Sequence, residues 1–295
     1  MSAWRELVLR SDSLEVVLLP DLGARIHRIR AFGHDLLRTP PDPAQHAIDP
    51  FFWGAYPMAP WCNRAAPGER ELAGGRLDLR ANFTDGSAIH GLVFAEPWDV
   101  GANGTLVIRR GGPGDPWPWS FEASLLPAID QDELFLDYRL VNLSDEPMPA
   151  GIGLHPWFRR PLELRVPAGR VYETNRGSAP EPEKVAGRFD LRALGPPAEH
   201  LDATWTGLES GRIDLAWPHL GVASVMEIAT TGANTLIAIA TPTAIDAIAV
   251  EPQTHGPDPF RRVEHREPDA PQMLTPGEEL RMALRLGVAF GQPTD

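Results

Sequence analysis

The chain has a single cysteine, Cys62, so no intrachain disulfide can form, and that usage fits a reducing compartment. No run reaches the 18 or more apolar residues of a membrane-crossing helix, so no membrane partner is expected. The opening, MSAWRELVLRSDSLEVVLLP, carries a charge every few residues and lacks the apolar core of a signal peptide. A cytoplasmic location is the simplest expectation. Clustered basic residues are also missing. With 27 Lys and Arg against 40 Asp and Glu, and a formal net charge of −13, the chain is poorly suited to neutralising phosphates, which argues against nucleic acid. A neutral polar ligand is the easier reading. There is no GxSxG and no HExxH, and Gly111-Gly-Pro-Gly114 lacks the Lys-Ser/Thr of a phosphate loop. Cys62 sits beside Trp61 without a charged activator before it, and packing is its expected role.

What is abundant is turn chemistry. Pro (31) and Gly (27) make up about a fifth of the 295 residues, with no period, which points to many turns between short strands. Leu14–Leu19 and Ala24–Ile29 read as an antiparallel pair around Asp21-Leu-Gly23. Glu69–Leu72 and Arg76–Leu79 read as a hairpin turning at Gly74-Gly75. Leu134–Val141 alternates with period two, and Ala247–Val250 is a short run of the buried type. The Gly-, Pro- and charge-rich stretch from Pro167 to Glu199 reads as a surface excursion. Sustained helical patterns and internal repeats are lacking. The expected architecture is all-β, one large antiparallel β-sandwich domain over residues 1–295, with function on strand ends and loops.

Of nine histidines, two stand out. His155 lies in Gly151-Ile-Gly-Leu-His155-Pro-Trp-Phe158, on what reads as a Gly/Pro turn past a strand, between small and aromatic neighbours. His90 precedes Gly91, where the backbone can approach a ligand closely. His27, His34, His46, His200, His219 and His265 sit in polar or turn contexts. Glu251 follows the apolar Ala247-Ile-Ala-Val250. A carboxylate there is desolvated toward general-base range, or else is paired with an arginine such as Arg261. Arg64 follows an apolar, aromatic loop and offers a fork of donors to hydroxyls or to a carboxylate. Asp202 offers a hydroxyl acceptor near Trp205. Metal-ligand spacings are missing; His255, four residues after Glu251, is separated from it by Pro252, so no metal is expected.

In order, Asn63-Arg64, His90-Gly91-Leu92, Gly153-Leu-His155-Pro-Trp-Phe158, Leu201-Asp202 and Val250-Glu251-Pro-Gln253 resemble the aldose 1-epimerase (galactose mutarotase) family. Asp21-Leu-Gly-Ala-Arg25 and Leu274-Thr-Pro-Gly-Glu278 look like its opening and closing segments, so the likeness spans essentially the whole chain. The resemblance implies a large β-sandwich that interconverts the α and β anomers of a free aldose without cofactor or metal. It implies Glu251 as general base and His155 as general acid, with Arg64, His90 and Asp202 binding the sugar. Pro-Trp-Phe after His155, and Pro-Gln-Thr-His-Gly-Pro-Asp-Pro after Glu251, depart from galactose-type members and leave the sugar unnamed. Two other readings stand beside it. A hexose-6-phosphate 1-epimerase would clamp phosphate with Arg159-Arg160 and Arg261-Arg262. A non-catalytic carbohydrate-binding protein would stack sugar on Trp157 and Trp205. Oligomeric state has no signature in the sequence.

Overall fold

The computed structural model describes residues 4–72, 74–175 and 181–291. Two large antiparallel sheets dominate it. The first runs, edge to edge, through Leu7–Arg10, Leu14–Leu19, Arg25–Ala31, Ala55–Met58, Gly153–Arg159, Ala247–Gln253, Leu236–Ala240, Asp202–Leu208, Ala168–Tyr172 and Glu183–Lys184, with His34–Asp35 paired beside Arg25–Ala31. The second runs through Asp99–Val100, Leu106–Arg110, Phe121–Asp130, Glu133–Asn142, Glu279–Phe290, Val222–Thr231, Arg212–Trp217 and Glu163–Arg165. The hairpins expected at 14–29 and 69–79 form, the first with its returning strand at Arg25–Ala31, the second turning at Gly74 with φ +91° while Gly75 already belongs to the returning strand.

The two sheets differ in how they are covered, and that difference creates the site. In the second sheet, Glu133–Asn142 alternates strictly, burying every second residue with the intervening ones half-exposed, as expected of a sheet with one wet face. Leu134, Leu136, Tyr138 and Leu140 meet Val16, Leu18, Ile248 and Val250 of the first sheet in one continuous core. The central strands of the first sheet are buried on both faces: Ala247–Gln253 throughout, and Gly153–Arg159 except at Arg159.

Period-two geometry then sorts their side chains. Leu154, Phe158, Ile237, Ile239, Ile248, Val250, Ala203 and Trp205 face the core. His155, Trp157, Ala238, Ala240, Ala247, Ala249, Glu251, Asp202 and Thr204 take the opposite face, which is covered by Phe51-Phe52, Asn63-Arg64, Phe83-Thr84 and Ile89-His90.

Three local readings are revised by the structure. His155 lies within a buried strand, not on a turn. The Pro167–Glu199 stretch includes a strand of the first sheet, Ala168–Tyr172, which pairs with Asp202–Leu208 and buries Ala168, Val171 and Tyr172; residues 176–180 of that stretch lie outside those described. His27 and His46 are buried, joined Nδ1 to Nε2 at 2.9 Å beneath the 40–53 loop, instead of sitting in polar surroundings.

Candidate active site

Two prolines shape the site. On the Gly153–Arg159 strand, pairing with Ala247–Gln253 is made at Gly153↔Gln253 and again from Trp157↔Ala249. Between those points lie Pro156 and Pro252, neither of which has an N–H for the ladder. Proline in adjacent central strands costs pairing, and here it coincides with the two candidate proton-transfer groups. The flanking register sets His155 opposite Glu251, and His155 Nε2 lies 3.2 Å from Glu251 Oε1. Both side chains are only 6% exposed.

Around that pair the polar residues converge. His90 meets His155 edge-on, with ring centroids 4.9 Å apart, and Tyr56 stacks on His155 at 4.6 Å. Arg64 donates from Nε to Asp85 at 2.8 Å and reaches Asp202 at 3.4 Å from Nη1. Asn63, His90 and His200 all adopt positive φ (57°, 63° and 57°), and all three line the same cavity. Strained non-glycine backbone of this kind is retained where surrounding structure holds it, and it concentrates at functional sites. Gly91 serves a different purpose from the one expected: a Cβ there would lie 1.9 Å from the Ala59 carbonyl oxygen, so the close approach is to backbone, not to ligand.

The cavity holds about 550 Å³, within the range of small-ligand sites. Phe51, Phe52, Phe83, Trp157, Ile245 and Ala240 supply apolar walls, and Thr84 and Asn175 add polar ones. Burial dominates the electrostatics. It pushes Glu251 well above the ordinary carboxylate value, with Asp202 adding and Arg64 opposing. Burial lowers His155 to about 3 and, with His155 and Arg64 adding, carries His90 well below the usual imidazole value. Each member of the pair is therefore driven toward its neutral form.

The sequence profile of the aldose 1-epimerase family matches residues 5–286. The chain belongs to the aldose 1-epimerase family. An uncharacterised Escherichia coli K12 protein, YphB, is 23% identical over 253 residues, covering 80% of this chain and 83% of that one. A solved E. coli K12 structure, described provisionally as an aldose 1-epimerase, is similar over 98% of this chain and all of that one, at 22% identity and TM-score 0.82. A galactose mutarotase-like protein from Clostridium acetobutylicum matches over 97% and 96% of the two chains, at 16% identity and the same TM-score. At these identities the structural likeness speaks to the fold.

For this aldose 1-epimerase family member, all five sequence-derived candidates, Arg64, His90, His155, Asp202 and Glu251, line one cavity. Other residues fall away. Trp205 is fully buried in the core with its indole N–H on the Phe189 carbonyl, so of the two tryptophans proposed to stack on sugar only Trp157 reaches the cavity. His255 is held between the Cys62 N–H and the Gly256 carbonyl and lines no part of the cavity. Glu251 faces His155, while Arg261 pairs with Glu267 at 2.7 Å. Neither arginine pair lines the cavity: Arg160 donates to the Pro242 carbonyl, and Arg262 is buried against Tyr172, Pro257 and Pro268.

One donor from each of His90, His155 and Glu251 lies within 4.8 Å of the others, a set that zinc takes elsewhere. Coordination through the Nε2 atoms fits poorly, because it would leave both Nδ1 atoms buried without a hydrogen-bond partner among the described residues, whereas metal-bound imidazoles have their far nitrogen anchored.

Sequence reasoning missed Asn175, Asp85 and His200. Asn175 carries no local signal, because its role comes from pairing with Asp202, 27 residues away. Asp85 sits in a plain Thr-Asp-Gly turn.

Proposed function

We propose that this cavity interconverts the α and β anomers of a free aldose by acid/base ring opening and closure. The observation that carries the reading is the buried His155–Glu251 contact at 3.2 Å on the floor of a sugar-sized cavity. Glu251 removes the proton from O1, the freed electron pair forms the C1=O1 bond, the C1–O5 bond breaks, and O5 takes the proton of His155. After rotation about C1–C2 the transfers reverse and the ring closes on the other face.

One transferable proton stays with the pair throughout. While the ring is closed it resides on His155 and Glu251 is a carboxylate; Arg64 favours that carboxylate but, with Arg25, opposes the imidazolium. In the open-chain aldehyde it resides on Glu251 and His155 is neutral. Burial stabilises that second, uncharged distribution and so lowers the energy of the species that lies between the anomers. Arg64, His90 and Asp202 are proposed to hold hydroxyls and to orient C1 toward the pair.

A phosphorylated hexose is disfavoured, since Arg159, Arg160, Arg261 and Arg262 are absent from the cavity lining. Sugar binding without turnover gives no reason to bury an acid and a base against each other. Anomeric equilibration of freshly dissolved aldoses, followed by polarimetry or NMR, tests the proposal. Acceleration with at least one free aldose is expected; no acceleration with any, phosphorylated or not, ends the enzyme reading.

A further inference from the structure

Strand register fixes what lies on either side of the proton-transfer pair. One row across the sheet reads Tyr56, His155, Glu251, Ala238, Thr204. The next row, two residues along and about 7 Å away, reads Trp157, Ala249, Ala240, Asp202. Trp157 and Asp202 thus stand three strand spacings apart, about 14 Å, and only two alanine methyls lie between them. This is a flat floor with one aromatic wall and one carboxylate wall.

The two walls differ in chemistry. On the Asp202 side, Arg64 reaches the carboxylate at 3.4 Å and Asn175 donates to it at 3.0 Å. On the Trp157 side, Trp157, Phe52 and Ile245 pack as one apolar cluster with the alanines Ala240, Ala247 and Ala249. Phe83 joins the two walls, 6.2 Å from Phe52 and 5.6 Å from the Arg64 guanidinium. The Trp157 indole N–H is engaged by the Phe51 carbonyl at 2.7 Å, so the ring offers the cavity only hydrocarbon.

A pyranose has a direction relative to its reacting edge. C1 is flanked by C2, which bears a hydroxyl, and O5 is flanked by C5, which bears C6 in a hexose. His155 shares its strand with Trp157, whereas Glu251 lies one strand nearer to Asp202. With His155 at O5 and Glu251 at O1, C5 and its substituent extend along Trp157, Phe52 and Ile245. C2 and C3 extend over the alanines toward Asp202 and Arg64.

We infer that the site selects aldoses with no polar group on C6, that is 6-deoxyhexoses and pentoses, over hexoses and hexose 6-phosphates. The inference rests on the anomer-exchange reading above and adds the orientation of the sugar within it. A C6 hydroxyl buried on this flank loses water and finds hydrocarbon, which an apolar pocket penalises by on the order of tenfold to hundredfold.

Two matched sugar series test it on the intact protein. D-galactose, D-fucose and L-arabinose differ only in carrying CH2OH, CH3 or H at C5, as do D-glucose, 6-deoxy-D-glucose and D-xylose. In whichever series is turned over, the 6-deoxy or pentose member is expected to exceed the hexose in kcat/KM by roughly tenfold or more, and the 6-phosphate to be slower still. A hexose equal to or better than its 6-deoxy partner overturns the inference and leaves the anomer-exchange reading standing. Failure to accelerate any aldose overturns both. Ile245→Asn, in a half-buried loop position, is expected to narrow the ratio by severalfold. An unchanged ratio in that variant, with the parent's preference intact, overturns the placement of C6.

Discussion

Asn175 donates its side-chain N–H to Asp202 at 3.0 Å, and its own amide oxygen accepts the Thr204 hydroxyl at 2.7 Å. The threonine fixes which way the amide points, because a hydroxyl donating to the oxygen leaves only the NH2 to face the carboxylate. Asp202 is thereby held on a strand-face position with Arg64 on one side and Asn175 on the other. The proposed hydroxyl acceptor is set before sugar arrives.

Asn175→Ala removes a hydrogen bond to a charged group, worth roughly 1.5–3 kcal/mol where it forms. The expected outcome is a rise in KM of about tenfold with kcat nearly kept, because Asp202 orients sugar and does not transfer the proton. Steady-state equilibration kinetics check this. A fall in kcat with unchanged KM would place Asp202 in the chemical step instead.

Glu251→Gln keeps the shape of the side chain and removes its proton affinity. Turnover is expected to fall by roughly 10²–10⁴-fold while sugar binding, read by calorimetry or intrinsic tryptophan fluorescence, persists. Activity within tenfold of the parent would remove Glu251 as the base.

How legible was this site beforehand? Alternation along Glu133–Asn142 and the Gly74 turn are local properties, and both read directly from the residues. The five site residues were found through short motifs, yet nothing local brings residue 64 to residue 202; the sheet order does. The Gly/Pro content around His155 suggested a turn because proline ordinarily breaks a central strand. Here Pro156 falls in a gap in the ladder, matched by Pro252 on the neighbouring strand, and such a match between distant prolines is invisible in one dimension. The buried His27–His46 pair was missed for the same reason: each histidine looks polar until the other is seen 2.9 Å away.

Several buried histidines make the fold sensitive to acid. Burial lowers His27 to about 4, His46 to about 2, His155 to about 3 and His255 to about 4, and pushes His90 well below its ordinary value. A depressed histidine contributes stability that is fully present above the unfolded value of about 6.5 and is lost as pH falls toward the folded one. Glu251 and Asp258, both raised by burial, act in the opposite sense, but they are two groups against five. Urea midpoints are therefore expected to fall steadily from pH 6.5 to 4.5, with net uptake on the order of three to four protons on unfolding near pH 5. A midpoint that stays level between pH 7 and 5 would contradict the burial of these imidazoles.

The same shifts set the acid side of the activity profile. The acid limb of kcat/KM reports the free protein, in which the pair must accept a second proton before it loses function. With His155 held near 3, no acid limb is expected close to 6.5. Rates measured at pH values where the fold remains intact should stay level down through pH 6. An inflection near 6.5 would mean that a solvated histidine carries the acid role.

The alanine floor gives the last prediction. Ala240 and Ile239 are adjacent, yet one faces the cavity and the other the core, so their substitutions should separate binding from stability. Ala240→Leu pushes a branched side chain into open space between Trp157 and Asp202. It should raise KM or depress kcat/KM by on the order of a hundredfold, since a displacement of about 1 Å at a reacting centre has that effect, while thermal unfolding stays close to that of the parent. Ile239→Ala instead leaves a void in the core and should cost about 2–5 kcal/mol of stability, with sugar affinity largely kept. Measuring both variants by thermal denaturation and by equilibration kinetics decides the matter. If Ala240→Leu were turned over as fast as the parent, the sugar would have to lie elsewhere than over that floor.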